Sequence, residues 1–374
     1  LSLLFSFAGY ANQCSEYWHK ENYEKAFTHC KEQAEQGDAE AQYNLAMMYD
    51  KGDGTEQDYQ KAFYWYTKAA EQDNPEAQYN LAVMYDKGDG TEQDYQKAFY
   101  WYTKAAEQDN PEAQYNLAVM YDEGDGIEQD KQKAVYWYTK AAEQDNADAQ
   151  YNLAFMYNEG EDIKQDKQKA FYWYTKAAEQ GDAEAQNNLA IMYGNGYGIK
   201  QDNQKMLYWY TKAAEQGNSI AQNNLGDIYY NAEGVKQDKQ KAFFWYTKSA
   251  EQGYDSAQNN LGDMYYNGEG VKQDKQKALF WYTKAAEQGE FLAQYNLAIM
   301  YDEGEGTAPD KVKAAYWYTK VAEQGNAEAQ YRLAVMYDKG NSIEQDKSLA
   351  KKYYQLACDG NYKKACNKLK QLTE

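Results

Sequence analysis

Few side chains in this chain could carry out nucleophilic catalysis. Its only two histidines, His19 and His29, both lie near the N-terminus, so no Ser-His-Asp or Cys-His arrangement is expected. Ser348 and Lys351 match the S-x-x-K motif of serine β-lactamases, but the companion S-D-N and K-T-G motifs are absent from the sequence. We expect no enzyme activity; a β-lactam-binding or β-lactamase-like periplasmic protein is the alternative.

Two groups of residues resemble metal sites, but neither has the spacing that a metal ion needs. Cys14, His19, His29 and Cys30 could suggest zinc, yet His29 and Cys30 are adjacent on a predicted helix and point about 100° apart. The acidic loop at residues 122–126 resembles a calcium loop, but the bidentate glutamate of such loops is missing. We therefore predict no metal ion and no cofactor.

The residues that recur in the chain are structural. An alanine occurs every 36 residues without interruption, a leucine follows four residues after it, and a tryptophan lies 24 residues after most of these alanines. The alanines are Ala41, Ala77, Ala113, Ala149, Ala185, Ala221, Ala257, Ala293, Ala329 and Ala365. A fixed period of this length is typical of a solenoid, in which each unit packs only on its neighbours.

One copy, residues 74–109, shows how a unit is built. Asn74 is a suitable helix N-cap, and Pro75 is preset for the first helical position. Gly88 ends this helix, and Asp94 is placed to cap a second one. Each unit is therefore predicted to be a helix, a glycine-containing loop and a second helix, which must stack on its neighbours to bury its apolar residues.

The predicted fold is all-α: an α/α superhelical solenoid of about nine 36-residue helix-loop-helix repeats with caps at both ends. Residues 1–11 are apolar and uncharged, and we expect them to be a signal peptide remnant ending at Ala11, or else an apolar capping segment. An N-terminal cap is expected at 12–37, nine repeats at 38–361 and a capping helix at 362–374. Nothing after the first segment has the apolar length of a membrane span.

Four cysteines lie in two pairs, one pair in each predicted cap. Cys14 and Cys30 are near the N-terminus, and Cys358 and Cys366 are near the C-terminus. A disulfide needs Cα atoms within roughly 7 Å, whereas the ends of nine stacked helix pairs are many times farther apart. Only the two pairings within a cap remain, and with a signal peptide they favour an oxidising compartment, periplasmic or secreted.

The charge balance excludes nucleic acid as a partner. The chain has 59 acidic and 39 basic residues, a net charge of -20, and a single arginine, Arg332. Nucleic-acid binding needs a dense cationic face, which this composition does not supply. A protein or peptide partner is expected instead, bound by a monomer, and the 41 tyrosines provide enough apolar area for the chain to fold.

The repeated string resembles the Sel-one-like repeats, relatives of the tetratricopeptide repeats. It stands in nearly pure form at residues 261–289 as LGDMYYNGEGVKQDKQKALFWYTKAAEQG, and the resemblance covers roughly residues 22–374. It implies an α/α superhelix with the first helices on the concave side, and a scaffold role. The C-terminal cysteine pair is similar to those of cysteine-rich secreted Helicobacter members. Loop glycines are replaced at Asp162, Ala232 and Ser342, which leaves the loop geometry there open.

The first helix of each unit has a polar face that could bind a partner. Ala77 and Leu81 define its buried side, while Asn80, Val83 and Lys87 cluster on another face, here called the groove face. Its near-constant column, the Asn row, comprises Asn44, Asn80, Asn116, Asn152, Asn188, Asn224, Asn260 and Asn296, followed by Arg332 and Lys368. A ladder of amides could bind an extended peptide backbone, or it could serve contacts between helices.

The column that varies between copies is where selectivity could reside. It comprises Met47, Val83, Val119, Phe155, Ile191, Asp227, Asp263, Ile299 and Val335. At the C-terminal end of the Asn row, the cation of Arg332 could hold a ligand carboxylate. The predicted function is a secreted or periplasmic scaffold that binds proteins or peptides in a concave groove; a factor exported to act on host proteins is a further alternative.

Overall fold

All regular secondary structure in the described part of the chain is helical. The computed structural model describes residues 14–18, 20–160, 163–340 and 343–373. The predicted signal peptide at 1–11, His19 and the loop substitutions Asp162 and Ser342 lie outside the described residues.

Each repeat has two helices of similar length. The first helices are Ala39–Lys51, Pro75–Lys87, Pro111–Glu123, Ala147–Glu159, Ala183–Asn195, Ser219–Asn231, Asp255–Asn267, Phe291–Glu303, Ala327–Lys339 and Lys363–Thr373. The second helices are Tyr23–Glu35, Tyr59–Ala70, Tyr95–Glu107, Lys131–Glu143, Lys167–Glu179, Asn203–Glu215, Lys239–Glu251, Lys275–Glu287, Lys311–Glu323 and Lys347–Asp359. The fold is thus the predicted solenoid of helix pairs with a period of 36 residues.

The helix ends follow the capping residues read from the sequence. The side chain of Asn74 accepts a hydrogen bond from the backbone N–H of Ala77 at 2.7 Å, and that of Asp94 accepts one from Lys97 at 3.0 Å. Gly88 ends the first helix in the left-handed conformation, at φ +81°. The predicted start of both helices and the glycine stop between them are confirmed.

A second left-handed position explains a substitution between copies. The residue two or three places after the second helix has φ +62° at Asp73, Asp109 and Asp145. In later copies it is a glycine, with φ between +90° and +102°, as at Gly325 and Gly181. Aspartate tolerates this conformation better than most residues and glycine adopts it without strain, so both fit the same turn. The replaced loop glycine Ala232 also keeps the left-handed geometry, at φ +64°.

Tyrosine, leucine and alanine fill the core. The second-helix tyrosines Tyr66, Tyr102 and Tyr138 are almost completely buried, as are Leu45 and Leu81 of the first helices. The recurring alanines have almost no exposed area, and their small side chains let neighbouring helices approach closely. The eight recurring tryptophans are only half-buried, and each meets the edge of the exposed ring that precedes it in the sequence, as Trp101 meets Tyr100.

Buried glutamines join neighbouring helices. Gln78 is completely buried; its Nε2 donates to the carbonyl oxygen of Ala70 in the preceding repeat at 3.2 Å. Its Oε1 accepts from Nε2 of Gln108, which caps the end of the second helix of its own repeat, at 2.9 Å. The glutamine pairs occur in eight consecutive repeats at 2.8–2.9 Å: Gln42–Gln72, Gln78–Gln108, Gln114–Gln144, Gln150–Gln180, Gln186–Gln216, Gln222–Gln252, Gln258–Gln288 and Gln294–Gln324. We call these pairs the glutamine ladder.

The loops hold glycine where repeats come closest. A Cβ on Gly90 would overlap the carbonyl oxygen of Tyr59, at the start of the preceding second helix. Any side chain there would separate the two repeats, so the second loop glycine is needed for stacking as well as for its positive φ.

Both cysteine pairs are disulfide-bonded in the structure. Cys14 is joined to Cys30, and Cys358 to Cys366, each with Cα atoms 4.7 Å apart. No helix within the described residues is both long enough and apolar enough to cross a membrane.

The chain divides into two compact units. The first consists of Leu1–Ala185 with Tyr197–Lys200, and the second of Gln186–Gly196 with Gln201–Glu374. The division falls inside the helix Ala183–Asn195. In each unit, helix pairs of the same kind pack on one another through the same alanine, leucine and tyrosine positions.

Candidate peptide-binding face

The groove face predicted from the sequence is accessible in the structure. In the second repeat Asn80 and Val83 are half-buried and Lys87 is exposed, while Ala77 and Leu81 have no exposed area. The polar side and the buried side of the first helix are therefore those that the helical spacing predicts.

Three cavities open on this face. One, of about 490 Å³, lies in the first unit and is lined by Asn44 and Met47. The others lie in the second unit: one of about 320 Å³ beside Asn224 and Asp227, and one of about 340 Å³ beside Arg332. Members of the Asn row line all three cavities, so a ligand on this face would meet their side chains.

In the first unit the Asn row contacts tyrosine hydroxyls. Nδ2 of Asn152 lies 3.5 Å from the hydroxyl of Tyr115 in the preceding repeat and 3.3 Å from that of Tyr138. Burial raises the pKa of Tyr43, and a hydrogen bond with Asn80 partly offsets that rise. The row thus links the tyrosines of adjacent helices as well as facing the cavities.

In the second unit the row contacts other amides as well as a tyrosine hydroxyl. Nδ2 of Asn260 donates to Oδ1 of Asn223 at 3.1 Å, and Nδ2 of Asn187 lies 3.4 Å from Oδ1 of its neighbour Asn188. Burial raises the pKa of Tyr210 to about 12, against the lowering effect of its hydrogen bond with Asn224. Three asparagines thus replace the tyrosines of the first unit on this face: Asn187, Asn223 and Asn259.

The two aspartates of the variable column are tied to the core. Oδ1 of Asp227 accepts a hydrogen bond from the hydroxyl of Tyr246 at 2.6 Å, and Oδ2 accepts from Asn223 at 3.0 Å. Burial raises the pKa of Asp227, and these hydrogen bonds oppose the rise. Asp263 has the same two kinds of partner one repeat later. The aspartates of this column therefore have structural partners within the chain.

Arg332 replaces asparagine in the ninth repeat and is held by acidic and aromatic groups. Its guanidinium lies 3.2 Å from the carboxylate of Glu328 and 3.4 Å from the hydroxyl of Tyr318. A weaker contact, at 3.9 Å, joins it to Asp302. These contacts hold the guanidinium of Arg332 in place.

The side chains considered for catalysis lie apart from this face. Ser348 and Lys351 are both exposed on the helix Lys347–Asp359. His29 stacks on Tyr17 with ring centroids 5.2 Å apart. Over the described ranges, no three histidine, cysteine or acidic side chains converge as metal ligands would.

The family follows from a comparison with known repeats. The model of the Sel1 repeat matches residues 7–38, 39–74, 75–110, 111–146, 147–182, 183–218, 219–254, 255–290, 292–326 and 327–362. The chain belongs to the Sel1 repeat family. The first match includes part of the predicted signal peptide and cap, so the family model finds ten Sel1 repeats where the sequence suggested about nine.

Solved Sel1 repeat structures have the same fold. c5321, a protective antigen present in uropathogenic Escherichia coli strains, is 36% identical with a TM-score of 0.84, over 93% of this chain and 74% of that one. A Sel1 repeat protein from Oxalobacter formigenes is 33% identical with a TM-score of 0.66, over 83% of this chain and 90% of that one. No curated protein matches the chain. The Sel1 repeats here form a scaffold suited to protein–protein interaction.

Sequence reasoning missed two sets of polar residues. The buried glutamines recur from repeat to repeat as regularly as the asparagines, but their burial depends on partners 30 residues away along the chain. The acids that bond tyrosine hydroxyls also escaped notice, although an exchange of residue types was visible. In the repeat where the variable column has Asp227, Tyr230 occupies the position that Asp86 occupies in the second repeat.

Proposed function

We propose that this Sel1 repeat protein is a periplasmic or secreted scaffold that binds an extended peptide segment of a protein partner along the Asn row. The observation that supports it is the presence of cavities on the groove face in both units, each lined by a member of the row. Amides can donate to and accept from a peptide backbone without selecting its sequence. The net charge of -20 favours a protein partner over nucleic acid.

The location outside the cytoplasm is part of this proposal. It is supported by the two disulfides, because such bonds persist mainly in oxidising compartments. The similarity to c5321, a protective antigen, also favours a protein that meets the host. That similarity supports a second candidate, an exported factor whose partner is a host protein.

The partner is to be identified by crosslinking in the native envelope and mass spectrometry. Its affinity is then measured for a variant with Asn188→Ala, Asn224→Ala and Asn260→Ala. We expect weaker binding, because each change removes an amide from the groove face. A matched variant carries Gln204→Ala, Gln240→Ala and Gln276→Ala, three exposed positions on second helices. Equal affinity of wild type and the Asn variant, with both folded by circular dichroism, would overturn the proposal.

A further inference from the structure

The cavity at the end of the Asn row differs in charge from the rest of the protein. It has a volume of about 340 Å³ and is lined by residues of the ninth repeat and of the last helix. We call it the C-terminal pocket; its lining includes Tyr331, Arg332, Val335, Lys339, Tyr362 and Lys364. Four cations line it, with Lys311 the fourth, against only two carboxylates, Asp302 and Glu328. The pocket therefore concentrates positive charge in a chain whose net charge is -20.

Two of these cations remain available to a ligand. Lys311 pairs with Asp302 at 2.6 Å. Arg332 pairs with Glu328 at 3.2 Å and, more weakly, with Asp302 and Glu303 at 3.9 Å. Lys339 and Lys364 are exposed, and neither forms an ion pair within the described ranges. An anion entering the pocket would therefore meet two uncompensated ammonium groups next to an ordered guanidinium.

The walls of the pocket are partly apolar. The rings of Tyr331 and Tyr362 lie 5.1 Å apart, and Val335 and Met336 complete this side. The pocket could thus hold an apolar side chain and a negative charge at the same time. A peptide presents that combination at its last residue.

We propose that the C-terminal pocket binds the free carboxylate of a peptide's last residue, with Lys339 and Lys364 as its cationic partners and the ion-paired guanidinium of Arg332 beside them. This inference rests on the proposed function, because a peptide lying along the Asn row would reach the pocket where Arg332 replaces the ninth asparagine. In the first two repeats, Lys51 and Lys87 occupy the position of Lys339, but asparagine occupies that of Arg332. The combination of cations is specific to this end of the row.

The test uses two kinds of probe on the intact protein. The first is N-acetyl-leucyl-tyrosine with a free carboxylate, compared by calorimetry with its amide, since this small probe needs only the pocket. The second is a pool of fluorescent peptides of random sequence, in free-acid and in amidated form. We expect the free acids to bind about tenfold more tightly, as a charge-assisted interaction predicts, and the preference to fall with added salt.

Variants assign that preference to the pocket. Arg332→Asn restores the residue of the other repeats, and Lys339→Gln and Lys364→Gln change exposed side chains, so the triple variant should fold. It should bind acid and amide equally. The control variant Lys200→Gln, Lys236→Gln and Lys272→Gln removes three exposed positive charges outside the pocket and should keep the preference.

The outcomes separate this inference from the proposed function. Equal binding of acid and amide by the wild type, or no binding of the acetylated dipeptide, would overturn the pocket assignment. If the dipeptide acid binds but the Asn188, Asn224 and Asn260 variant binds the peptide pool as well as wild type does, the Asn row proposal fails and the pocket stands.

Discussion

Gly262 lies directly against the ring of Tyr282. A Cβ on Gly262 would come within 2.7 Å of Cδ1 of that ring, and the hydroxyl at the other end of the ring donates to Asp263 at 2.6 Å. The same arrangement recurs at Gly226, Asp227 and Tyr246. Other repeats have alanine at the glycine position and valine or isoleucine at several of the aspartate positions. Glycine and aspartate therefore occur together in these two repeats, where the tyrosine ring packs on the glycine and its hydroxyl donates to the aspartate.

The first prediction concerns Gly262→Ala. Helix propensity alone would favour alanine by about 1 kcal/mol. The overlap with Tyr282 should reverse this and lower the free energy of unfolding by about 1–3 kcal/mol, measured by urea unfolding. In a Tyr282→Leu background the ring is gone, so Gly262→Ala should no longer destabilise. A stabilising effect in both backgrounds would contradict the contact.

The second prediction is a stabilising substitution in a loop. Ala232 has φ +64°, a conformation that costs a residue with a Cβ about 1–2 kcal/mol. Ala232→Gly should raise the free energy of unfolding by about 0.5–1 kcal/mol, after allowing for the greater freedom of glycine in the unfolded chain. The reverse change at the equivalent position, Gly268→Ala, should destabilise. Thermal unfolding midpoints that shift in the same direction for the two variants would disprove the explanation.

The third prediction tests the glutamine ladder. Gln114 is completely buried and satisfies the carbonyl of Ala106 and the amide of Gln144. Gln114→Ala should cost about 1–3 kcal/mol, because both partners lose a buried hydrogen bond. Gln96→Ala, at an exposed position of the same unit, should change stability by no more than about 0.5 kcal/mol. Equal costs in urea unfolding would mean that the ladder does not stabilise the stack.

The fourth prediction is a pH dependence from the helix caps. The backbone N–H of Lys97 and the nearby lysine side chain lower the pKa of Asp94 below its ordinary 3.8. A carboxylate with a lowered folded-state pKa stabilises the protein above pH 3.8, and this stabilisation is lost as the pH falls through the folded-state pKa. Asp94→Asn keeps the cap but not the titration.

The thermal midpoint of wild type should therefore fall more steeply below pH 3.8 than that of Asp94→Asn. Asp58 and Asp130 also have lowered pKa values, so combining the three changes enlarges the difference. Parallel pH profiles for wild type and the triple variant would show that these caps do not titrate as described.

The fifth prediction concerns the disulfide near the C-terminus. Replacing Cys358 and Cys366 by serine should remove about 2.5 kcal/mol from the stability of the last helices. Hydrogen exchange should speed up in Lys347–Asp359 and Lys363–Thr373 and stay unchanged in Pro75–Lys87. Protein prepared from its native compartment should show no titratable thiol, and four titratable thiols would contradict both disulfides.

The sequence predicted those parts of the fold that depend on local chemistry. Asn74, Asp94 and Gly88 act within one turn of where they stand, so their spacing was enough to place the helix ends. Gln78 was not recognised, because glutamine is usually exposed and its partners come from two other helices. Asp227 was interpreted as a source of selectivity, since no spacing rule reveals that the hydroxyl of Tyr246 lies beside it.

The glutamine ladder also bears on how long such a protein can be. Each rung satisfies its hydrogen bonds with adjacent helices, and residues 85–122 repeat residues 49–86 without a change. Insertion or loss of one such copy would create junctions that fit the partners already present. The number of repeats can thus change in evolution by whole repeats, while the contacts between neighbouring repeats stay the same.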